Sequence, residues 1–125
     1  MDKKRPVNLD IGTIKLPITS LVSITHRISG VIMFFAVGIF LWMLESSLAS
    51  EQSFNDLGQL LSNPICQFIL WGSLAALAYH AIAGIRHLIM DFGVCEDNFS
   101  SGRNSAWAAV VLAVVAIALI TWWIL

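Results

Sequence analysis

The last 20 residues, "AWAAVVLAVVAIALITWWIL" (Ala106–Leu125), contain no charged side chain. An α-helix needs about 20 predominantly apolar residues to cross the hydrocarbon core of a bilayer. Inside lipid, backbone N–H and C=O groups must be satisfied within the segment, so a helix is the form such a run takes. Two earlier runs read the same way. One covers Leu21–Leu44, with its uncharged part at Ile28–Leu44, and the other covers Ile65–Met90. The expected fold is an all-α integral membrane protein with three transmembrane helices, at about 21–44, 65–90 and 106–125. They form one domain, 1–125, behind an N-terminal segment at 1–20.

Composition excludes the main alternative. Of 125 residues, 58% are hydrophobic and only 12% are charged, against about 25% charged in an average soluble domain. A chain this short has too much surface for its volume to hide that apolar content from water. No nucleic acid is expected as a partner; membrane lipid is. The first apolar run is too long for the h-region of a signal peptide and lacks a small-residue cleavage site, so it is expected to persist as a span.

The distribution of charge sets an orientation. Lys3, Lys4, Arg5, Lys15 and Arg27 precede or open the first run, and Arg86 and Arg103 flank the second loop. No Lys or Arg lies between Ile28 and Ile85 or after Arg103, whereas the first loop carries Glu45, Glu51 and Asp56. The positive-inside rule places the N-terminus inside and the C-terminus outside. Cys66 and Cys95 fall at opposite ends of the second run, about 40 Å apart along a helix, which excludes a disulfide within the chain.

The connections carry ordinary helix punctuation. Pro64 suits a first helical turn, and Ser62 or Asn63 can cap it. The first loop, Glu45–Asn63, is polar and acidic. The second, Asp91–Ser105, ends in "SSGRNS", a turn-rich stretch able to cap the third helix. Trp42, Trp107, Trp122 and Trp123 lie near span ends, where an interfacial aromatic belt is expected. Trp71 lies deeper and can pack against another helix. The basic N-terminal segment reads equally well as a topology signal attracted to anionic lipid or as a docking strap for a soluble partner.

Ionisable groups within a span are costly and therefore point to function. They fall in two clusters. In "SITHRISG" (Ser23–Gly30), Ser23, Arg27 and Gly30 share a helical face at i, i+4 and i+7, with His26 beside them. A hydroxyl, a guanidinium and an imidazole at the inner boundary suit a lipid-soluble ligand with carbonyl oxygens, or the carboxylates of a cofactor. The competing reading is a snorkelling Arg27 with Ser23 bonded to its own backbone.

In "AYHAIAGIRHLIMDFG" (Ala78–Gly93), His80, Gly84 and His87 share a face. His80 lies about 9 Å inward of Arg86 along the helix axis. A neutral imidazole in apolar surroundings is a good axial ligand for haem iron, and Gly84 leaves room for a flat group. Arg86 and His87 lie nearer the surface, where propionates would point. The competing reading makes His80 a hydrogen-bonding link between helices. Because the first two spans are antiparallel, a His26–His80 ligand pair within one chain is also open, although three helices enclose a macrocycle poorly.

"HRISG" (His26–Gly30) and "HAIAGIRHLIMD" (His80–Asp91), in this order on the first two of three spans and preceded by "RPVNLD" (Arg5–Asp10), resemble the larger cytochrome b anchor subunits of succinate dehydrogenase, respiratory complex II. The resemblance covers essentially the whole chain, and no motif residue is replaced. It implies a membrane-anchor domain in a four-subunit enzyme, with a flavoprotein, an iron–sulfur subunit and a second membrane anchor as partners. It implies haem b as cofactor, with His80 as one axial ligand to the iron and the other supplied by the second anchor, which argues against the His26–His80 pair. His26, Arg27 and His87 would then surround the propionates, and Ser23 and Arg27 would line the pocket for quinone, the substrate. No flavin or iron–sulfur motif is present, so the chain alone would catalyse nothing. A bacterial inner membrane is the expected location, ahead of an organellar one. The other readings are the anchor of a fumarate reductase and a small haem-free pore or assembly protein.

Overall fold

A computed structural model describes residues 17–93 and 99–125. Four helices follow in order: α1 (Ile18–Ala49), α2 (Glu51–Leu60), α3 (Pro64–Asp91) and α4 (Phe99–Ile124). Three of them are long and apolar enough to cross a membrane, over Ile18–Ala49, Pro64–Asp91 and Ser101–Ile124. The expected all-α, three-span architecture is therefore found, with each spanning helix beginning before the apolar stretch that announced it. Cys95 and the basic segment before Pro17, with its "RPVNLD" motif, lie outside the described residues.

Contacts across the bundle fix its register. Trp71 Nε1 donates to Thr121 Oγ1 (2.8 Å) near one end of α3, and Arg86 Nε donates to Ser105 Oγ (3.1 Å) near the other. Positions 71 and 86 thus meet 121 and 105, so α3 and α4 are antiparallel. Gly30 faces His80, and Gly84 faces His26, so α1 and α3 are antiparallel as well. Trp71 does reach another helix, as its depth suggested.

Small residues make these approaches close. Ala36, Ala83, Ala106, Ala109 and Ala113 are buried together with Val22, and the cluster of Val22, Ala83 and Ala106 is flanked by Ile18, Tyr79 and Val110. Lipid tails are as apolar as a leucine, so helices in a bilayer associate through such close packing and through hydrogen bonds rather than through hydrophobic burial. The large side chains point outward. Phe34 is 79% exposed and Trp122 82%, as lipid-facing or partner-facing groups should be.

Local chemistry explains the helix ends. The Asn63 side chain accepts from Ile65 N (2.9 Å), with Pro64 in the first turn of α3, so Asn63 is the cap. Gly93, with φ of +83°, ends α3 in the left-handed conformation that glycine adopts without steric penalty. At the α1–α2 corner, Ser50 Oγ accepts from Ser53 N (2.9 Å), while Ser53 Oγ donates back to Ser46 O (2.7 Å).

Two segments differ from expectation. The first loop contains the ten-residue helix α2, folded against α1 over Trp42 and Ser46. The stretch "SSGRNS" is helical rather than a turn. Gly102 is buried there, and Arg86 of α3 donates to both Gly102 O (3.2 Å) and Ser105 Oγ (3.1 Å). Tertiary contact from Arg86 outweighs the local preference of serine, glycine and asparagine for turns.

Candidate functional site between the first and second spans

The sequence contains the pattern His-x-x-x-Gly twice, at His26–Gly30 and at His80–Gly84. On antiparallel helices the two patterns interlock. A Cβ added at Gly30 would lie 3.3 Å from His80 Cε1, and one added at Gly84 would lie 3.3 Å from His26 Nε2. Each histidine occupies the notch opposite it. The room at Gly84, expected to admit a flat group, is thus taken by the edge of His26.

The two imidazoles stack with ring centroids 4.3 Å apart and planes 10° from parallel. His87 continues the row, 6.3 Å from His26. Axial ligands approach one iron end-on from opposite sides, whereas these rings lie face to face. The stacked pair therefore does not offer a bis-histidine site within one chain. Among the described residues, no group of three or more His, Cys, Asp or Glu side chains is placed to hold a metal ion.

Hydrogen bonds distinguish the three rings. His80 Nδ1 lies 3.0 Å from Ser29 Oγ, and Ser29 is buried. His26 Nε2 is buried and has no hydrogen-bond partner among the described residues. His87 is exposed, with Nε2 3.9 Å from Asp91 Oδ1. One turn toward the α1 N-terminus, the Thr25 and Tyr79 hydroxyls share a hydrogen bond, and Thr25 Oγ1 also donates to Leu21 O (2.6 Å). Both, with Ser29, border a mainly apolar groove of about 510 Å³.

At the end of the bundle, Ser23, His26, Arg27, Arg86 and His87 border a recess of about 130 Å³. Ser23 and Arg27 are exposed and make no hydrogen bond or ion pair among the described residues. The fold thus brings together Ser23, His26, Arg27, His80 and His87 from two segments some fifty residues apart in sequence. It presents unpartnered donors at the mouth and a ring held by a hydrogen bond within. Arg86 turns its guanidinium toward α4, so its place is structural as well as peripheral to the recess. Sequence reasoning missed Ser29, Thr25 and Tyr79. A serine three residues after His26 carries little signal alone, and its role depends on which residue of α3 stands opposite.

Known proteins resemble the chain over most of its length. Residues 1–120 match the succinate dehydrogenase/fumarate reductase transmembrane subunit family. The chain is 41% identical over 125 residues to the succinate dehydrogenase cytochrome b556 subunit of Coxiella burnetii, covering 99% of each chain. It is 30% identical over 116 residues to the subunit of that name from Paracoccus denitrificans, covering 90% of this chain and 89% of the other. Against the succinate dehydrogenase cytochrome b560 subunit of Chondrus crispus it is 34% identical over 117 residues, with 90% and 91% coverage. With three candidate spans, a family match over residues 1–120 and 41% identity along nearly its full length to one such subunit, the chain belongs to the cytochrome b membrane-anchor subunits of the succinate dehydrogenase/fumarate reductase family.

Proposed function

We propose that this chain anchors a succinate dehydrogenase in a bacterial inner membrane, holds haem b jointly with a second anchor chain, and forms part of a site where quinone takes electrons from the iron–sulfur subunit. Its relatives from Coxiella, Paracoccus and Chondrus are named as succinate dehydrogenase subunits, which favours succinate oxidation over fumarate reduction. The observation that carries the proposal is the convergence of His80, His26, His87, Arg27 and Ser23 at one end of the α1–α3 interface.

The residues suit the cofactor. His80 is half-buried, and the Ser29 contact at Nδ1 leaves Nε2 as its ligating nitrogen. With His80 as the ligand from this chain, the second ligand falls to the partner anchor. Arg27, His26 and His87 are the groups that would meet carboxylates, and charge-assisted hydrogen bonds from such donors are strong. A bound b-type haem supplies one-electron storage and transfer.

The quinone chemistry falls to side chains at the recess. Ser23 Oγ can donate to a quinone carbonyl. Arg27 stays protonated, so it stabilises negative charge developing on oxygen without serving as the proton source. Both are exposed, where water and a soluble subunit would be able to reach them. The positive-inside rule places this end in the cytoplasm, with the N-terminus inside and the C-terminus outside.

His80→Leu tests the cofactor assignment. Leucine is apolar and of similar reach, so the span survives while the ligating nitrogen is removed. The dithionite-reduced spectrum of the purified complex should lose or reshape its b-type bands. An unchanged low-spin b-type spectrum in a fully assembled variant would make His80 a packing residue.

A further inference from the structure

Ser29 has one hydroxyl proton and two neighbours that could use it. Its Oγ lies 2.6 Å from the carbonyl oxygen of His26 and 3.0 Å from His80 Nδ1. A carbonyl oxygen only accepts, so the proton goes to His26 O, and toward the imidazole Ser29 is an acceptor. Nδ1 must then carry the ring proton of His80, which leaves the lone pair on Nε2. Ser29 is 5% exposed, so no bulk water competes for either bond. Gly30, next to Ser29 on the same helix, leaves the space that the ring occupies, since a Cβ there would sit 3.3 Å from His80 Cε1.

We propose that Ser29 is a positioning residue for the haem ligand: it fixes the tautomer and orientation of His80 and, by accepting its Nδ1 proton, raises the ring's electron donation toward iron. The proposal rests on the assignment of His80 as a ligand. Acceptors behind a metal-bound histidine orient the ring and raise its basicity. A more basic ligand favours the ferric form, so removing the acceptor raises the haem midpoint potential. Losing a neutral hydrogen bond corresponds to about tenfold or less in the oxidised-to-reduced equilibrium, and tenfold is 59 mV for a one-electron couple.

The experiment is a potentiometric titration of haem b in purified wild-type, Ser29→Ala and Ser29→Thr complexes, with haem quantified per flavin. Ser29→Ala should titrate at a higher potential, by up to about tenfold in the equilibrium constant, and Ser29→Thr, which keeps the hydroxyl, should return toward wild type. Loss of haem from the alanine variant alone, with threonine retaining it at the wild-type potential, supports the same role. An unchanged midpoint in Ser29→Ala at full haem content overturns the proposal. Loss of haem from both variants also overturns it, since the site would then require the volume of serine rather than its hydroxyl. Absence of haem b from the wild-type complex would defeat the ligand assignment itself.

Discussion

His26 and His80 owe their positions to the smallest residue on the facing helix. A Cβ at Gly30 meets His80 Cε1 at 3.3 Å, a separation the ring can absorb by moving a few tenths of an ångström. Gly30→Ala should therefore keep most of the haem, helped by the better helix propensity of alanine, worth about 1 kcal/mol. Gly30→Leu should expel His80 from its notch and lower haem content sharply, read from the reduced spectrum against flavin. Full haem in the leucine variant would mean that the notch is not what seats the ring. The His-x-x-x-Gly spacing was legible in the sequence, and so were the five polar residues of the recess. That each glycine serves the other helix's histidine was not, because it depends on the register between α1 and α3. Ser29 was hidden for a related reason: a serine in a membrane helix ordinarily bonds its own backbone, and this one does so while also reaching His80.

Among the elements, α4 is the one whose start the sequence misplaces. Serine, glycine and asparagine at 100–105 suggest a turn, yet Arg86 reaches across from α3 and holds Gly102 O and Ser105 Oγ within hydrogen-bond distance. Hydrogen bonds involving a charged group contribute about 1.5–3 kcal/mol, and neutral ones about 0.5–1.5. Arg86→Leu should therefore lower the thermal stability of the assembled complex more than Ser105→Ala does, and should speed proteolytic cleavage in the second loop. A melting temperature and cleavage rate equal to wild type in Arg86→Leu would show that the tie contributes nothing. Local signals sufficed where local chemistry decides the boundary: Asn63 and Pro64 mark the start of α3 in sequence and cap it in the structure. The helix α2 escaped notice because it is short and polar, and it is held by the Ser46–Ser53 contact rather than by an apolar run.

For the whole molecule, three apolar helices set the solvent, and the uneven distribution of Lys and Arg predicts a direction that an experiment can test. A reporter active only in the outer compartment should work when fused after Leu125 and stay silent when inserted near Ser101; the reverse would place the recess on the wrong side of the membrane. Composition made the three-span class plain, while the closeness of the bundle came from alanines that carry no distinctive pattern in sequence. Large exposed faces such as Phe34, Phe35 and Trp122 remain for lipid and partner chains. The central claim is that electrons leave the complex at the recess bordered by Ser23 and Arg27. The measurement that tests it most directly compares two rates in purified complexes of wild type, Ser23→Ala and Arg27→Leu: succinate oxidation by an artificial acceptor, and reduction of quinone. The first should be preserved in both variants, and the second should fall, with Arg27→Leu losing roughly tenfold or more because a charged donor acting in the transition state is removed. Normal quinone reduction by both variants, in intact complexes with full haem content, would contradict the account.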